Sequence, residues 1–224
     1  MLNKYARSDE IISLFHDGQT LMCGGFANHG VPNRLIDCII ASGAKHFTFI
    51  TNDSGDEDLT IGRLIHRGLI DKLIASHIGR NPETVALVAE HKIELELVPQ
   101  GSLAERMRCG GSGLGGVLTK TGLGTVVEEG KPTVEVDGQT YLLERPLRAD
   151  IGLVRARACD PLGNLTYRGT MRNFNPLVAQ ACDVTLVDAD MRVDIDELGV
   201  DRIMTPGVYV DKVLMNEEMT HERS

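Results

Sequence analysis

The residues with the most chemical potential lie in three short segments rich in glycine or side-chain amides, each following an apolar run. Gly24-Gly25-Phe26-Ala27-Asn28-His29-Gly30-Val31-Pro32 follows Thr20 to Cys23, Thr51-Asn52-Asp53-Ser54-Gly55 follows Phe47 to Ile50, and Val98-Pro99-Gln100-Gly101-Ser102 follows Leu95 to Val98. Glycines let a backbone approach a ligand closely. A helix opening at Pro32 or Asn33 would also present free amides and positive potential to an anion or a polarised carbonyl. The neutral amides of Asn52 and Gln100 are donors suited to a carbonyl oxygen that becomes negative during reaction. The same residue types make tight strand-to-helix turns and helix caps, so for each segment alone both readings stand.

Other chemistries lack their required context. Gly111-Ser112-Gly113-Leu114-Gly115-Gly116 satisfies G-x-G-x-x-G, yet a dinucleotide fingerprint needs a strand before it and a helix after it, and here a helix pattern precedes the glycines. At Gly130-Lys131, Pro132 stands where a P-loop needs Ser or Thr. The seven histidines, His29 among them, show no helical H-x-x-x-H pair and no cysteine at ligand spacing, which predicts no metal site. The five cysteines are scattered singly and odd in number, fitting neither a disulfide framework nor a nucleophile motif, and G-x-S-x-G is absent.

The elements that must position the three segments follow from the apolar pattern, which alternates short runs with amphipathic stretches. It predicts strands at Thr20 to Cys23, Phe47 to Ile50, Leu73 to Ser76 and Leu95 to Val98. Helices are expected to end at Ile11 to Phe15 and to run from Pro32 or Asn33 to Ser42, Ile61 to Arg67, and Asn81 to His91. Ser102-Leu103-Ala104-Glu105 reads as a capping box opening a helix to about Arg108, followed by a Gly-rich excursion from Cys109 to Gly130. Asp137-Gly138 marks a hairpin between Thr133 to Val136 and Thr140 to Leu143. Strands at Ile151 to Ala158, Leu165 to Tyr167, Val184 to Val187 and Val208 to Leu214, a helix near Pro176 to Ala181, and a polar frayed tail after Met215 complete the reading. The fold class is α/β, a mostly parallel sheet flanked by helices, in one domain over 1–224. In such a sheet the loops at the C-terminal strand ends converge, so Gly24, Asn52 and Gln100 are expected in one cleft.

Composition agrees with that class and narrows the partners. Hydrophobic residues are 42% and charged residues 25%, an ordinary globular mix, while 24 Gly, no Trp and 4% aromatics imply many turns and an aliphatic core. With 23 Lys+Arg against 32 Asp+Glu the net charge is -9 and no basic tract exists, which argues against nucleic-acid binding. No run approaches the roughly 20 apolar residues of a membrane span, and the first residues lack the apolar core of a secretory signal. Together with the unpaired cysteines this predicts a soluble, cytoplasmic protein.

Asp17-Gly18, then Gly24-Gly25-Phe26 with Gly30 and Pro32, resembles the signature of the family I coenzyme A transferase alpha subunit of the 3-oxoacid type. The likeness continues through TNDSG, IASHIGRNPET, VPQGSLAERMRCGGSGLGG, GTVVEEGK, LLERPLRAD, GNLTYRGTMRNFNP and TPGVYVDKV, covering nearly the whole chain. IASHIGRNPET and RMRCGGSGLGG are most similar to the acetate/acetoacetate branch, and Cys23 and Asn28-His29 depart from the usual pattern. The resemblance implies the CoA-transferase alpha-subunit fold and the passage of CoA from an acyl-CoA to a free short-chain acid or 3-oxoacid. In such a reaction a glutamate attacks the thioester, giving an acyl-glutamyl anhydride and then a glutamyl-CoA thioester. It places that glutamate on a beta subunit, so no catalytic nucleophile is expected in this chain; Glu144 reads as a strand-end anchor and Glu105 as part of the capping box. It further implies a substrate-binding role for Gly24, Gly25, Phe26, Asn28, Asn52 and Gln100, CoA as a substrate with no other cofactor, and a beta-subunit partner in an α2β2 assembly. A 3-oxoadipate or succinyl-type transferase, or a noncatalytic acyl-CoA or sugar-phosphate binding protein, are the alternatives.

Overall fold

A computed structural model describes residues 3–215. The expected frayed tail lies outside the described residues. The chain begins with β1 (Tyr5–Ala6), α1 (Ser8–Ile12), β2 (Thr20–Cys23), α2 (Asn33–Ser42), β3 (Phe47–Asp53) and α3 (Gly62–His66). β4 (Ile70–His77), α4 (Pro82–Ala89), β5 (Glu94–Leu97) and α5 (Gln100–Gly111) follow. An antiparallel excursion holds β6 (Val117–Thr119), β7 (Thr133–Val136) and β8 (Gln139–Glu144). The chain then returns through β9 (Ala149–Cys159), β10 (Leu165–Thr166), α6 (Asn175–Gln180), β11 (Cys182–Arg192) and β12 (Lys212–Leu214).

The main sheet has the order β1-β12-β11-β9-β2-β3-β4-β5, every pair parallel, with β10 antiparallel on β9. Its strands are apolar on both sides because both faces are covered. Leu21, Cys23, Phe47, Phe49, Leu73 and Leu153 pack on one face with Leu35, Ile36 and Ile39 of α2. Met22, Ile50, Ile74 and Val154 point the other way, onto Leu103 and Met107 of α5 and Val178 of α6. Each such fully buried aliphatic side chain contributes about 1.5–3 kcal/mol.

Local signals explain most boundaries. Gly43 closes α2 in the left-handed region at φ 71°, and Asn81 accepts the Thr84 amide at 3.1 Å while Pro82 opens α4 without a stranded N–H. Asp137 and Gly138 turn the β7–β8 hairpin with φ of 51° and 70°. The capping-box reading is corrected: Pro99, extended at ψ 136°, sets the start of α5 one residue later, so Ser102 lies inside the first turn and its buried Oγ has no partner. Glu105 instead pairs with Arg108 at 2.8 Å. β3 runs on to Asp53 where a turn was expected, and the Gly-rich stretch contains the end of α5 and β6. Val208 to Tyr209 lies in a 3-10 turn, leaving only Lys212–Leu214 as strand.

Two packing constraints fix the scaffold. α5 ends in Gly110 and Gly111 because a Cβ at 110 would sit 1.9 Å from the Leu147 carbonyl oxygen and one at 111 would sit 2.7 Å from Gln180 Cβ. Asn175, fully buried at the start of α6, accepts the Arg155 amide of β9 at 2.8 Å and donates to the carbonyls of Gly30 at 3.0 Å and Met171 at 2.8 Å. Asn175→Ala leaves those three backbone groups without their partner, so we expect a stability loss of about 2 kcal/mol or more by urea unfolding; a loss well under that would mean the turn is held elsewhere. Gly110→Ala meets backbone that has no room to yield, and a drop of at least about 2 kcal/mol is expected from overpacking; an unchanged unfolding midpoint would contradict the close approach.

Candidate functional site

β2 is the strand at which the sheet order reverses: β3, β4 and β5 extend to one side, and β9, β11 and β12 to the other. The backbone diverges at the C-terminal end of such a strand and leaves a crevice. Gly24 to Pro32 occupies that place, between β2 and α2. Position 24 is glycine because a Cβ there would lie 2.0 Å from Asn175 Oδ1, and its amide donates to Leu153 of β9 at 2.9 Å. Gly25 has φ 126°, donates to Asn173 Oδ1 at 3.0 Å, and would press a Cβ to 2.5 Å from Val31. The chain's own packing therefore accounts for both glycines, and what it produces is a reversal with a pinned base, beside which Phe26 is exposed.

Phe26 and His29 close the reversal by exchanging both backbone hydrogen bonds at 3.0 Å. Ala27 between them has φ 51°, a left-handed conformation that costs a non-glycine residue about 1–3 kcal/mol. Asn52 offsets part of that cost, its Oδ1 accepting the Ala27 amide at 3.4 Å. Through Nδ2 the same side chain donates to Ser76 Oγ at 3.0 Å and Gln100 Oε1 at 3.3 Å, while Ser76 Oγ donates to the Asn52 carbonyl at 2.8 Å. The turn after β2, the C-terminal ends of β3 and β4 and the first residue of α5 thus meet in one row of neutral polar groups. Asn52 is buried, whereas Gln100 is exposed at the helix N-terminus, where the free end of the helix dipole favours negative charge.

The other side chain of interest in the turn, Asn28, faces a different set of groups. Its Nδ2 donates to Asp56 and its Oδ1 accepts from Thr60 Oγ1 at 3.4 Å. The Asn28 hydrogen bond first, and then Arg80, hold the Asp56 carboxyl below the usual carboxylate range, so it stays charged at neutral pH. Beyond the turn, on the β9 side, lies an open cleft of about 450 Å³ lined by His29, Asn33, Arg34, Arg155 and Met171. Its cations are already satisfied: fully buried Asp188 accepts Arg34 Nε and meets an Arg155 terminal nitrogen, each at 2.6 Å, and also takes the Arg34 backbone amide.

The acids and thiols elsewhere are poorly placed for nucleophilic attack. Glu144, 1% exposed, is held by Lys131 at 2.6 Å and lies 3.9 Å from Arg106. Burial pushes the Cys38 thiol up to about 11 and the Cys182 thiol up to about 12, and raises Cys23 and Cys159 further. Among the described residues no glutamate hydrogen-bonds to Asn52, Ser76 or Gln100, no group of three or more His, Cys, Asp or Glu could hold a metal, and no helix is long and apolar enough to cross a membrane. The sequence reading named Gly24, Gly25, Phe26, Asn28, Asn52 and Gln100 but not Ser76, Asn173 or Asn175. Ser76 ends a predicted strand and was reachable by the same rule, while the other two meet the turn only through the register of distant strands.

Known proteins share this arrangement of chain. The Coenzyme A transferase family model matches residues 5–216. The acetate CoA-transferase subunit alpha of Escherichia coli (strain K12) is 51% identical over 218 residues, which covers 97% of this chain and 99% of that one. The acetoacetyl-CoA:acetate/butyrate CoA transferase alpha subunit of Clostridium acetobutylicum is 45% identical, covering 96% and 98%. Among solved structures, an acyl-CoA transferase from E. coli O157:H7 in a thioester complex with CoA superposes with a TM-score of 0.87 at 22% identity, covering 97% of this chain. The chain spans only 48% of that protein's length, about half. With a family match over nearly all its residues and curated relatives of equal length, the chain belongs to the Coenzyme A transferase family.

Proposed function

We propose that this chain is the alpha subunit of a cytoplasmic CoA-transferase that moves CoA from an acyl-CoA such as acetyl-CoA to a short-chain acid or 3-oxoacid. CoA is a substrate, and no further cofactor takes part. The attacking glutamate and its glutamyl-CoA intermediate reside on a beta subunit, in an α2β2 assembly. The observation that carries this reading is the row Ala27–Asn52–Ser76–Gln100, a chain of neutral hydrogen-bonded groups on one sheet edge that ends in the exposed Gln100 amide and contains no carboxylate. Its support is the equal length of the alpha-subunit relatives and the half-length match to the solved acyl-CoA transferase.

On this reading each part has a role. Gln100 spends its carbonyl oxygen on Asn52, so its exposed amide N–H groups are what an incoming thioester or carboxylate oxygen meets. When the partner's carboxylate adds to the thioester carbon, negative charge builds on the carbonyl oxygen, and a donor already fixed in place stabilises it without reorganisation. A neutral wall suits both half-reactions, because a fixed anion beside the site would repel the attacking carboxylate and the free acid alike. Phe26, with Gly24 and Gly25 beneath it, borders the acyl end, and Asn28 orients that border.

The test is coexpression with the proposed beta subunit followed by acyl transfer kinetics. Gln100→Ala is expected to lower kcat about 100-fold while the complex still assembles. The isolated chain is expected to transfer nothing. Full turnover by the variant complex would refute the role of Gln100, and transfer by the chain alone would refute the placement of the nucleophile.

A further inference from the structure

The strand ends that meet through Asn52 are tied a second time, farther out, through the loops that follow them. Asp56, in the loop after β3, accepts Asn28 from the turn after β2 and Arg80 from the loop after β4, the latter at 3.1 and 3.3 Å. Thr60 in the same loop holds the other end of the Asn28 amide. Asp56 is itself set rigidly. A Cβ on Gly55 would lie 2.5 Å from Thr60 Oγ1, and one on Gly62 would lie 1.9 Å from the Asp56 carbonyl oxygen, so the loop from Gly55 to Gly62 coils on itself with no room to spare.

Stability does not explain this arrangement. The Asp56 and Arg80 side chains are 36% and 44% exposed, and ion pairs so solvated add little to folding. Their effect is positional. The inner tie from Asn52 to the Ala27 amide is long, at 3.4 Å, and Ala27 sits in an unfavourable conformation, so that tie alone holds the tip of the reversal weakly, although its two ends are pinned by Asn173 and Asn175. Asn28 is the next residue, and fixing both ends of its side chain constrains the tip of the turn that carries Phe26.

We propose that Asp56, acting through Asn28 and braced by Arg80, is a positioning residue that sets the height of the Phe26 reversal and hence the acyl length the site accepts. The inference rests on the transferase reading. A displaced wall changes the fit of short and long acyl groups unequally, since each methylene in an apolar pocket carries its own discrimination.

The experiment uses the coexpressed complex with acetyl-CoA, butyryl-CoA and hexanoyl-CoA as donors. Asp56→Ala is expected to lower kcat/KM for acetyl-CoA about tenfold while lowering it much less for hexanoyl-CoA, with the unfolding midpoint shifted by less than about 4 °C. Asp56→Asn keeps an acceptor for Asn28 and is expected to restore the wild-type ratio between donors. An equal fall for all donors, unchanged kinetics in Asp56→Ala, or no rescue by Asp56→Asn would overturn the proposal. A wild-type complex that transfers CoA from none of the donors would instead overturn the transferase reading on which it rests.

Discussion

Position 24 has no side chain, and the space is taken by the amide of Asn175. That one exchange of volume locks β2, β9 and α6 into a single register. The same amide that fills the space binds the Arg155 backbone on β9 and the Gly30 carbonyl at the far end of the turn. Asn173 repeats the device one step outward, accepting the Gly25 amide and donating to the His29 carbonyl at 3.1 Å. With both ends of the reversal pinned to the 173–175 segment, Ala27 comes within reach of Asn52 despite its strained backbone. Everything proposed about the site depends on that reach.

Charge is distributed so that the site stays neutral within an acidic chain. The buried carboxylate of Asp188 takes up Arg34 and, together with Asp190, Arg155, so neither guanidinium group stands uncompensated in the crevice beside the turn. Asp56 and Arg80 cancel at the opposite rim. Between them stand an amide, a hydroxyl and a second amide, groups that donate hydrogen bonds without a net field. Asn52 and Ser76 spend their protons within the row, so the exposed Gln100 amide is the donor left free to meet an oxygen, and under the proposed reaction it would act on the developing oxyanion without a net field.

Much of the scaffold was legible in the sequence, for reasons that are local. The bounds of β2, the Asn81-Pro82 start of α4, the Gly43 stop of α2 and the Asp137-Gly138 hairpin each rest on residues that decide their own backbone. Less local features were misread. Asn52-Asp53 looked like a turn but continues β3, because pairing with β4 overrides turn preference. Ser102 and Glu105 fit the capping-box spacing, yet Pro99 governs where α5 begins. Convergence of Asn52 with Gln100 followed from parallel-sheet geometry, whereas the Asn173 and Asn175 contacts and the Asp56 clamp arise from tertiary packing that no spacing reveals.

The central claim, that this chain supplies the neutral wall and another chain the attacking carboxylate, is tested most directly by locating the covalent intermediate. The coexpressed complex is mixed with acyl-CoA without an acceptor acid and quenched, and the intact mass of each subunit is measured. A CoA thioester is expected on a glutamate of the partner, with no added mass on this chain. A CoA or acyl adduct on this chain, at Glu144 or any other residue, would contradict it.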